Sequence, residues 1–221
     1  MNWYKIATKS IQLPEEAYDQ INEITSLVAN FHVNNMYIPE SPVKIYTIDF
    51  YNALYNTRMK SDIFINNNSM EATTHGGFLG EDNNIYLNPS LVYFKMSKTK
   101  NIVENIKQRY YPIILHEIDH LCYYFLKNKK DDASVFYEEK KSEFSAYSKT
   151  IISRLKNISQ TEVGRLIVLD FLRTGKPIFL KNVVDGYSYN IIFYWSMKRK
   201  DLFHKLLLRI YNEVINENTD K

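Results

Sequence analysis

The stretch that decides the fold is Leu115-His116-Glu117-Ile118-Asp119-His120-Leu121, which contains the pattern HExxH. His116 and His120 are four residues apart, so on a helix they lie one above the other and both imidazoles can reach one metal ion. The side chain of Glu117 points about 100° away from His116, so it can reach a water beside the metal without binding the metal. The pattern predicts a helix with two metal ligands, His116 and His120, and a general base, Glu117.

Apolar residues accompany this stretch at helical spacing, on the face opposite the two histidines. They are Ile114, Leu115, Ile118, Leu121, Cys122 and Phe125. One side of the helix is therefore expected to lie in a hydrophobic core, while the histidine side faces another part of the protein. The alternative is that both histidines are solvated or cap the helix without binding a metal.

A catalytic zinc site takes three protein ligands and keeps its fourth position for water or substrate. The next histidine, His204, lies 84 residues after His120, so Glu143 on the next predicted helix is the better candidate. The buried face of that helix is defined by Phe136, Phe144, Tyr147, Ile151 and Leu155. Glu143 falls at the edge of this face, where a carboxylate is costly unless it is paired or bound to a metal. Glu139 and His204 stay open as alternatives.

In these features the sequence resembles the gluzincin metallopeptidases, which have HExxH on one helix and a ligand Glu, often in an E-x-x-A context, on the next. Glu143-Phe144-Ser145-Ala146 matches the second half of that pattern, with 22 residues between His120 and Glu143. The resemblance covers residues 73–150. It implies a zincin-like α+β fold, in which a small mixed sheet with an edge strand precedes the active-site helix and a mostly helical C-terminal part. It also implies Zn²⁺ held by His116, His120 and Glu143, and a protein or peptide substrate that pairs with the edge strand.

The resemblance implies hydrolysis of peptide bonds with Glu117 as general base. Zinc would lower the pKa of a water, and Glu117 would accept the proton of that water and deliver it to the leaving amine. The oxyanion needs a further donor, and Tyr147, one turn beyond Glu143, is the first candidate. Other candidates are Tyr187, Tyr189 and His75.

The sequence makes weaker predictions for two further polar residues. Asp119 is expected either to orient a ligand histidine or to be a surface charge. His204 lies in an apolar helical stretch and is expected to be a core histidine.

Two alternatives stand beside the peptidase. One is a non-catalytic zincin-like module that uses the metal for binding or regulation. The other is a peptide deformylase, because residues 116–121 also resemble the HExDHL motif of that family. Deformylases take a third ligand from a Cys well upstream, whereas Cys122 is the single Cys of this chain and follows His120 by two residues. The deformylase is therefore the weaker of these two alternatives.

The composition sets broad limits. The chain has 221 residues, 45% of them hydrophobic and 24% charged, which excludes a disordered or collagen-like protein. A single Cys excludes an intramolecular disulfide framework, and no apolar run approaches the length of a membrane helix. We expect a cytoplasmic protein with no membrane partner and, at a net charge of +3, no nucleic acid partner. The sequence leaves the oligomeric state open.

The periodicity predicts one domain, 1–221, with a mixed α/β part over 1–100 and a helical part over 101–221. The mixed part is expected to have a helix after Pro14, a strand over 43–48, a short helix over 51–59 and a strand over 62–65. The Thr74–Asn88 segment is expected to form a hairpin or edge strand. Helices are expected over 101–127, 136–156, 160–174 and 197–217.

Overall fold

A computed structural model describes residues 13–35, 39–53, 56–66, 77–79, 82–88, 101–127 and 141–216. These residues are a mixture of helices and strands, as the α+β prediction requires. They divide into two compact units, which we name the sheet unit (described residues of 13–127) and the helical unit (141–216). The single domain expected from the sequence stays a prediction. The HExxH helix groups with the sheet unit.

The sheet unit contains two helices and a four-stranded sheet. Its elements are α1 (Glu15–Asn34), β1 (Val43–Asn52), β2 (Thr57–Ile65), β3 (Gly77–Leu79), β4 (Ile85–Leu87) and α2 (Ile102–Lys127). The strand order is β1-β2-β4-β3. β1 pairs antiparallel with β2, β2 pairs parallel with β4, and β4 pairs antiparallel with β3. β3 is therefore an edge strand, which confirms the predicted hairpin or edge strand over its described residues, whereas residues 74–76, 80 and 81 lie outside them.

The core of this unit lies between the sheet and the two helices. α1 packs against α2 and β1, and α2 packs against β2, β3 and β4. Alternate residues of the strands point into this core, as a half-buried sheet requires. The buried apolar side chains include Ile21, Ile24, Val28, Ile48, Phe50, Met59, Ile63, Ile85, Leu87, Ile106, Tyr110, Ile114 and Ile118.

The short helix expected over 51–59 is wrong. β1 continues to Asn52, β2 begins at Thr57, and these two residues are directly paired. Asn56 has a φ of 50°, the left-handed conformation that Asn tolerates in tight turns. The strand explains the burial in β2, because Met59, Ser61 and Ile63 are buried on alternate positions.

The helical unit contains four α-helices: α3 (Lys141–Ile158), α4 (Glu162–Thr174), α5 (Gly186–Lys198) and α6 (Lys200–Ile210). A 3₁₀ helix, Pro177–Leu180, follows α4, and a π-helical turn, Tyr211–Ile215, follows α6. The predicted helices over 136–156, 160–174 and 197–217 are confirmed in their described residues; 136–140 and 217 lie outside. α5 was not predicted. The core includes Ile151, Leu155, Val168, Phe171, Leu180, Ile192, Trp195, Leu206, Ile210 and Val214.

Polar caps fix the ends of the helices in this unit. Thr161 caps α4 by accepting a hydrogen bond from the N–H of Gly164, at 3.1 Å. Asp185 caps α5 in the same way through the N–H of Ser188, at 2.9 Å. Burial alone would raise the pKa of Asp185, but Arg154, whose guanidinium lies 2.9 Å away, helps to hold it below the usual value.

Gly164 allows α3 and α4 to meet at a close corner. A Cβ at this position would overlap the backbone carbonyl of Ile158 and would lie 2.8 Å from the Oγ1 of Thr161. The backbone of α3 would have to shift. We therefore expect Gly164→Ala to lower the free energy of unfolding by about 3 kcal/mol, as other overpacked sites do.

The matched control is Gly186→Ala, because a Cβ at Gly186 has no heavy atom within 4 Å. At the start of α5 this change is expected to alter stability by less than about 1 kcal/mol. Urea denaturation followed by circular dichroism measures both variants. Similar midpoints for the two variants would contradict the packing described at the α3–α4 corner.

Candidate metal centre

Two histidine side chains converge on one side of α2. The Nε2 atoms of His116 and His120 are 3.0 Å apart, and the two rings are nearly perpendicular, with centroids 4.6 Å apart. Nitrogens that share a tetrahedral zinc ion at 2.0–2.1 Å are separated by about 3.3 Å. The two nitrogens are therefore already close to the separation that a shared metal ion requires.

Both faces of α2 are buried around this pair of histidines. Ile114, Leu115, Ile118 and Cys122 lie in the apolar core of the sheet unit. On the polar side, His116, Glu117 and His120 are only 4–7% exposed. The alternative of solvated histidines is therefore wrong. Buried ionisable groups need compensating partners or a metal, so this arrangement indicates a built site rather than a surface cluster.

Asp119 is also fully buried. The expectation that it is a surface charge is thus wrong, because the polar side of α2 is not at the surface. Its expected role in orienting a ligand histidine stays a prediction.

Glu143 lies in the first turn of α3 and is 5% exposed. The helical wheel predicted a partly buried carboxylate here, and its burial is confirmed. Ala146, one turn further along α3, is fully buried, and the nearby side chains of Tyr147 and Thr150 are only 5% and 6% exposed. α3 is thus enclosed around Glu143, although the residue type is one of those least often found inside proteins.

His116, His120 and Glu143 each offer a ligand atom, and these atoms lie within 4.8 Å of one another. Two imidazole nitrogens and one carboxylate oxygen form a donor set that suits a catalytic zinc ion with one open position. Within the ranges that the structure describes, no other group of three His, Cys, Asp or Glu residues is arranged in this way. The three residues could therefore hold a metal ion.

The structure describes only one of the alternative third ligands, His204. His204 is exposed on α6, so the expectation of a core histidine is wrong; its position on that helix faces away from Leu206 and Ile210, which are buried. Glu139 and His75 lie outside the described residues.

The tyrosines proposed as oxyanion donors belong to the helical unit. Tyr147 is buried, and its ring contacts that of Tyr187 on α5 with centroids 5.3 Å apart. Tyr189 is half-buried and contacts Phe193, with centroids 6.3 Å apart. These contacts give Tyr147 and Tyr187 a packing role, and a role in catalysis stays a prediction.

The sequence reading overlooked His32, a buried histidine on α1. Its ring stacks on Tyr110 of α2, with centroids 5.5 Å apart, and the Tyr110 hydroxyl donates to the carbonyl of Asn88 at 2.7 Å. Burial lowers the pKa of His32 to about 4, so this imidazole is neutral at ordinary pH and acts as an apolar contact between the helices. The helical spacing from Ile21 and Val28 would have placed it on the buried face of α1.

Comparison with protein-family models, with curated proteins and with solved structures finds no match to this chain. Among the helices in the described ranges, none combines the length and the apolar character that a membrane crossing needs.

Proposed function

We propose that the protein is a zinc metallopeptidase with a zincin-like fold, in which His116, His120 and Glu143 hold the metal. The observation that carries the proposal is the buried group of two histidines and a glutamate, with ligand atoms within 4.8 Å of one another. Buried Glu117, next to His116 in the chain, adds the acid–base group that hydrolysis requires.

The donor set narrows the chemistry. Two histidines and a carboxylate also hold iron in oxygenases, but such enzymes have no need of a glutamate beside the ligands. When bound, zinc lowers the pKa of a water and polarises a carbonyl group. A site with a neighbouring carboxylate therefore suits hydrolysis better than redox chemistry.

Glu117 is the residue that would move protons. Its carboxylate oxygen would accept a proton from the attacking water and deliver it to the nitrogen of the leaving amine. Because Glu117 is only 4% exposed, bulk water has little access to this carboxylate. The expected oxyanion donor is the hydroxyl of Tyr147.

The two edges of the sheet differ in their ability to accept a peptide. On β1, both backbone groups of Asp49 are bonded to the side chain of Gln20. The Nε2 of Gln20 donates to the Asp49 carbonyl at 2.7 Å, and the Asp49 N–H donates to the Oε1 of Gln20 at 2.9 Å. This pairing closes part of the β1 edge. β3 forms the opposite edge, and we propose that an extended peptide substrate adds to it as a further strand.

The test measures metal content and peptide hydrolysis together. We expect the purified protein to contain one zinc ion per chain by plasma mass spectrometry, and to cleave unstructured protein substrates such as casein. A chelator should abolish cleavage, and added Zn²⁺ should restore it. His116→Ala should lose the zinc, whereas His204→Ala, at the exposed histidine of α6, should keep it.

Each outcome separates the candidate functions. Zinc at full stoichiometry with no hydrolysis of any peptide would favour the non-catalytic binding module. Hydrolysis confined to formylated peptides would favour the deformylase. A protein that binds no zinc, or that keeps zinc in His116→Ala, would contradict the proposed site.

A further inference from the structure

The two units carry opposite charge. Over its full bounds, residues 1–10 and 131–221, the compact unit that contains the helical unit has 17 Lys and Arg against 12 Asp and Glu, a net charge of +5. The compact unit that contains the sheet unit, residues 11–130, has 11 Lys and Arg against 13 Asp and Glu, a net charge of −2. The overall charge of +3 hides this difference, and a unit with an excess of cations is suited to an anionic partner.

The positive charge of the helical unit has a local concentration where α5 meets α6. Lys198, Arg199 and Lys200 are consecutive, and Lys205 follows five residues after Lys200. Asp201 pairs with Arg199 through bonds of 3.0 and 2.9 Å. Within residues 141–216, the ion pairs of the structure include neither Lys198 nor Lys200, and both side chains are exposed.

Large apolar side chains are exposed on the same two helices. Phe193 and Met197, one turn apart on α5, and Leu208 on α6 are 50–63% exposed. Nine of the thirteen exposed large hydrophobic residues of the described chain belong to the helical unit. We name Phe193, Met197, Lys198, Lys200 and Leu208 the corner surface.

We propose that the corner surface binds an anionic lipid bilayer at its interface. Lys198 and Lys200 would contact the headgroup phosphates, and Met197 and Leu208 would enter the boundary between headgroups and acyl chains. The charge of the helical unit is complementary to such a surface. This proposal revises the sequence-based expectation of no membrane partner, and it concerns binding to the surface rather than crossing it.

The mixture of residues distinguishes a lipid surface from other occupants. A nucleic acid would use the lysines for its phosphates but would leave the aliphatic Met197 and Leu208 in water. A second copy of the chain would cover the apolar residues but would bring the lysines of both copies together at a cost. A bilayer with anionic headgroups satisfies both halves of the surface at once.

The test is flotation of the purified full chain with vesicles of phosphatidylcholine containing about 30% phosphatidylserine. We expect binding to these vesicles, at least tenfold weaker binding to pure phosphatidylcholine, and loss of binding when NaCl rises from about 0.1 M to about 0.5 M. The variant K198A/K200A should bind about 25-fold more weakly, since each cation near such a membrane contributes about fivefold. The variant M197A/L208A should bind about tenfold more weakly.

Matched controls come from the sheet unit. Lys60→Ala removes an exposed cation of β2, and Val33→Ala shortens an exposed apolar side chain of α1; both should bind like the wild type. Circular dichroism checks that the corner variants fold.

Three results would overturn the inference. The first is that the protein does not bind the anionic vesicles. The second is that the wild type is a dimer in solution and the variant M197A/L208A is a monomer. The third is that the protein binds duplex DNA and that this binding depends on the lysines alone. Glu117→Gln should bind vesicles like the wild type, so the lipid result stands or fails separately from the peptidase.

Discussion

Glu117→Gln is expected to lower kcat for peptide hydrolysis by about 10³-fold, because a general acid–base group contributes about 10²–10⁴-fold to such reactions. Gln has almost the same shape as Glu but cannot accept the proton of the attacking water. Zinc content should stay at one ion per chain, because His116, His120 and Glu143 are unchanged. The measurements are initial rates on a fluorogenic peptide and metal analysis of the same sample.

The matched control for this variant is Glu104→Gln. Glu104 lies on the same helix, α2, but it is exposed near the first turn. The change removes the same charge from the same element, and hydrolysis should proceed at the wild-type rate.

Glu117 is buried, so the variant must first be shown to fold by circular dichroism and to hold zinc. A folded, zinc-loaded Glu117→Gln protein that hydrolyses peptides at the wild-type rate would contradict the role of Glu117 as general base. If neither the variant nor the wild type cleaves any peptide, the non-catalytic zincin-like module becomes the better description of the protein.

The part of the site that could be predicted lies within single helices. The spacing of His116 and His120 fixes their relative position once α2 forms, so local geometry alone brings their Nε2 atoms together. Glu143 was found in a similar way, since its position on the wheel of α3 marked a carboxylate on a buried face. Neither inference required knowledge of the tertiary structure.

Features that depend on packing between elements could not be predicted. α5 was missed because apolar residues surround it: Ile192 and Trp195 are buried, while Phe193 and Met197 are exposed. No amphipathic stripe marks such a helix. Residues 51–59 were assigned to a helix because the pairing of β1 with β2 is not visible in either segment alone.

The burial of charged side chains also depends on neighbours. The wheel of α2 treated its polar side as open, yet Asp119 is fully buried, whereas His204, in an apolar stretch, is exposed. Charge asymmetry was hidden for a related reason. A net charge of +3 is a sum over residues, and only the grouping of the chain into two units separates +5 from −2.

Glu143→Ala is expected to weaken zinc binding by more than about 100-fold. Residues that merely support a metal ligand contribute about 10–100-fold to affinity, and the loss of a ligand and its negative charge should cost more. Competition with a chromophoric chelator measures the dissociation constant. The control is Glu162→Ala, because Glu162 is an exposed acid in the first turn of α4 and its removal should leave zinc affinity unchanged.

The same variant tests why a carboxylate is buried in α3. Without metal, the wild type must keep Glu143 inside the protein, which is costly for a charge, whereas Glu143→Ala has no such charge. Zinc at about 100 times its dissociation constant stabilises a folded protein by about 2.7 kcal/mol. Added zinc should therefore raise the melting temperature of the wild type clearly and that of Glu143→Ala hardly at all. An equal rise in both, with equal affinities, would exclude Glu143 as the third ligand and would direct the search to Glu139 and then His204.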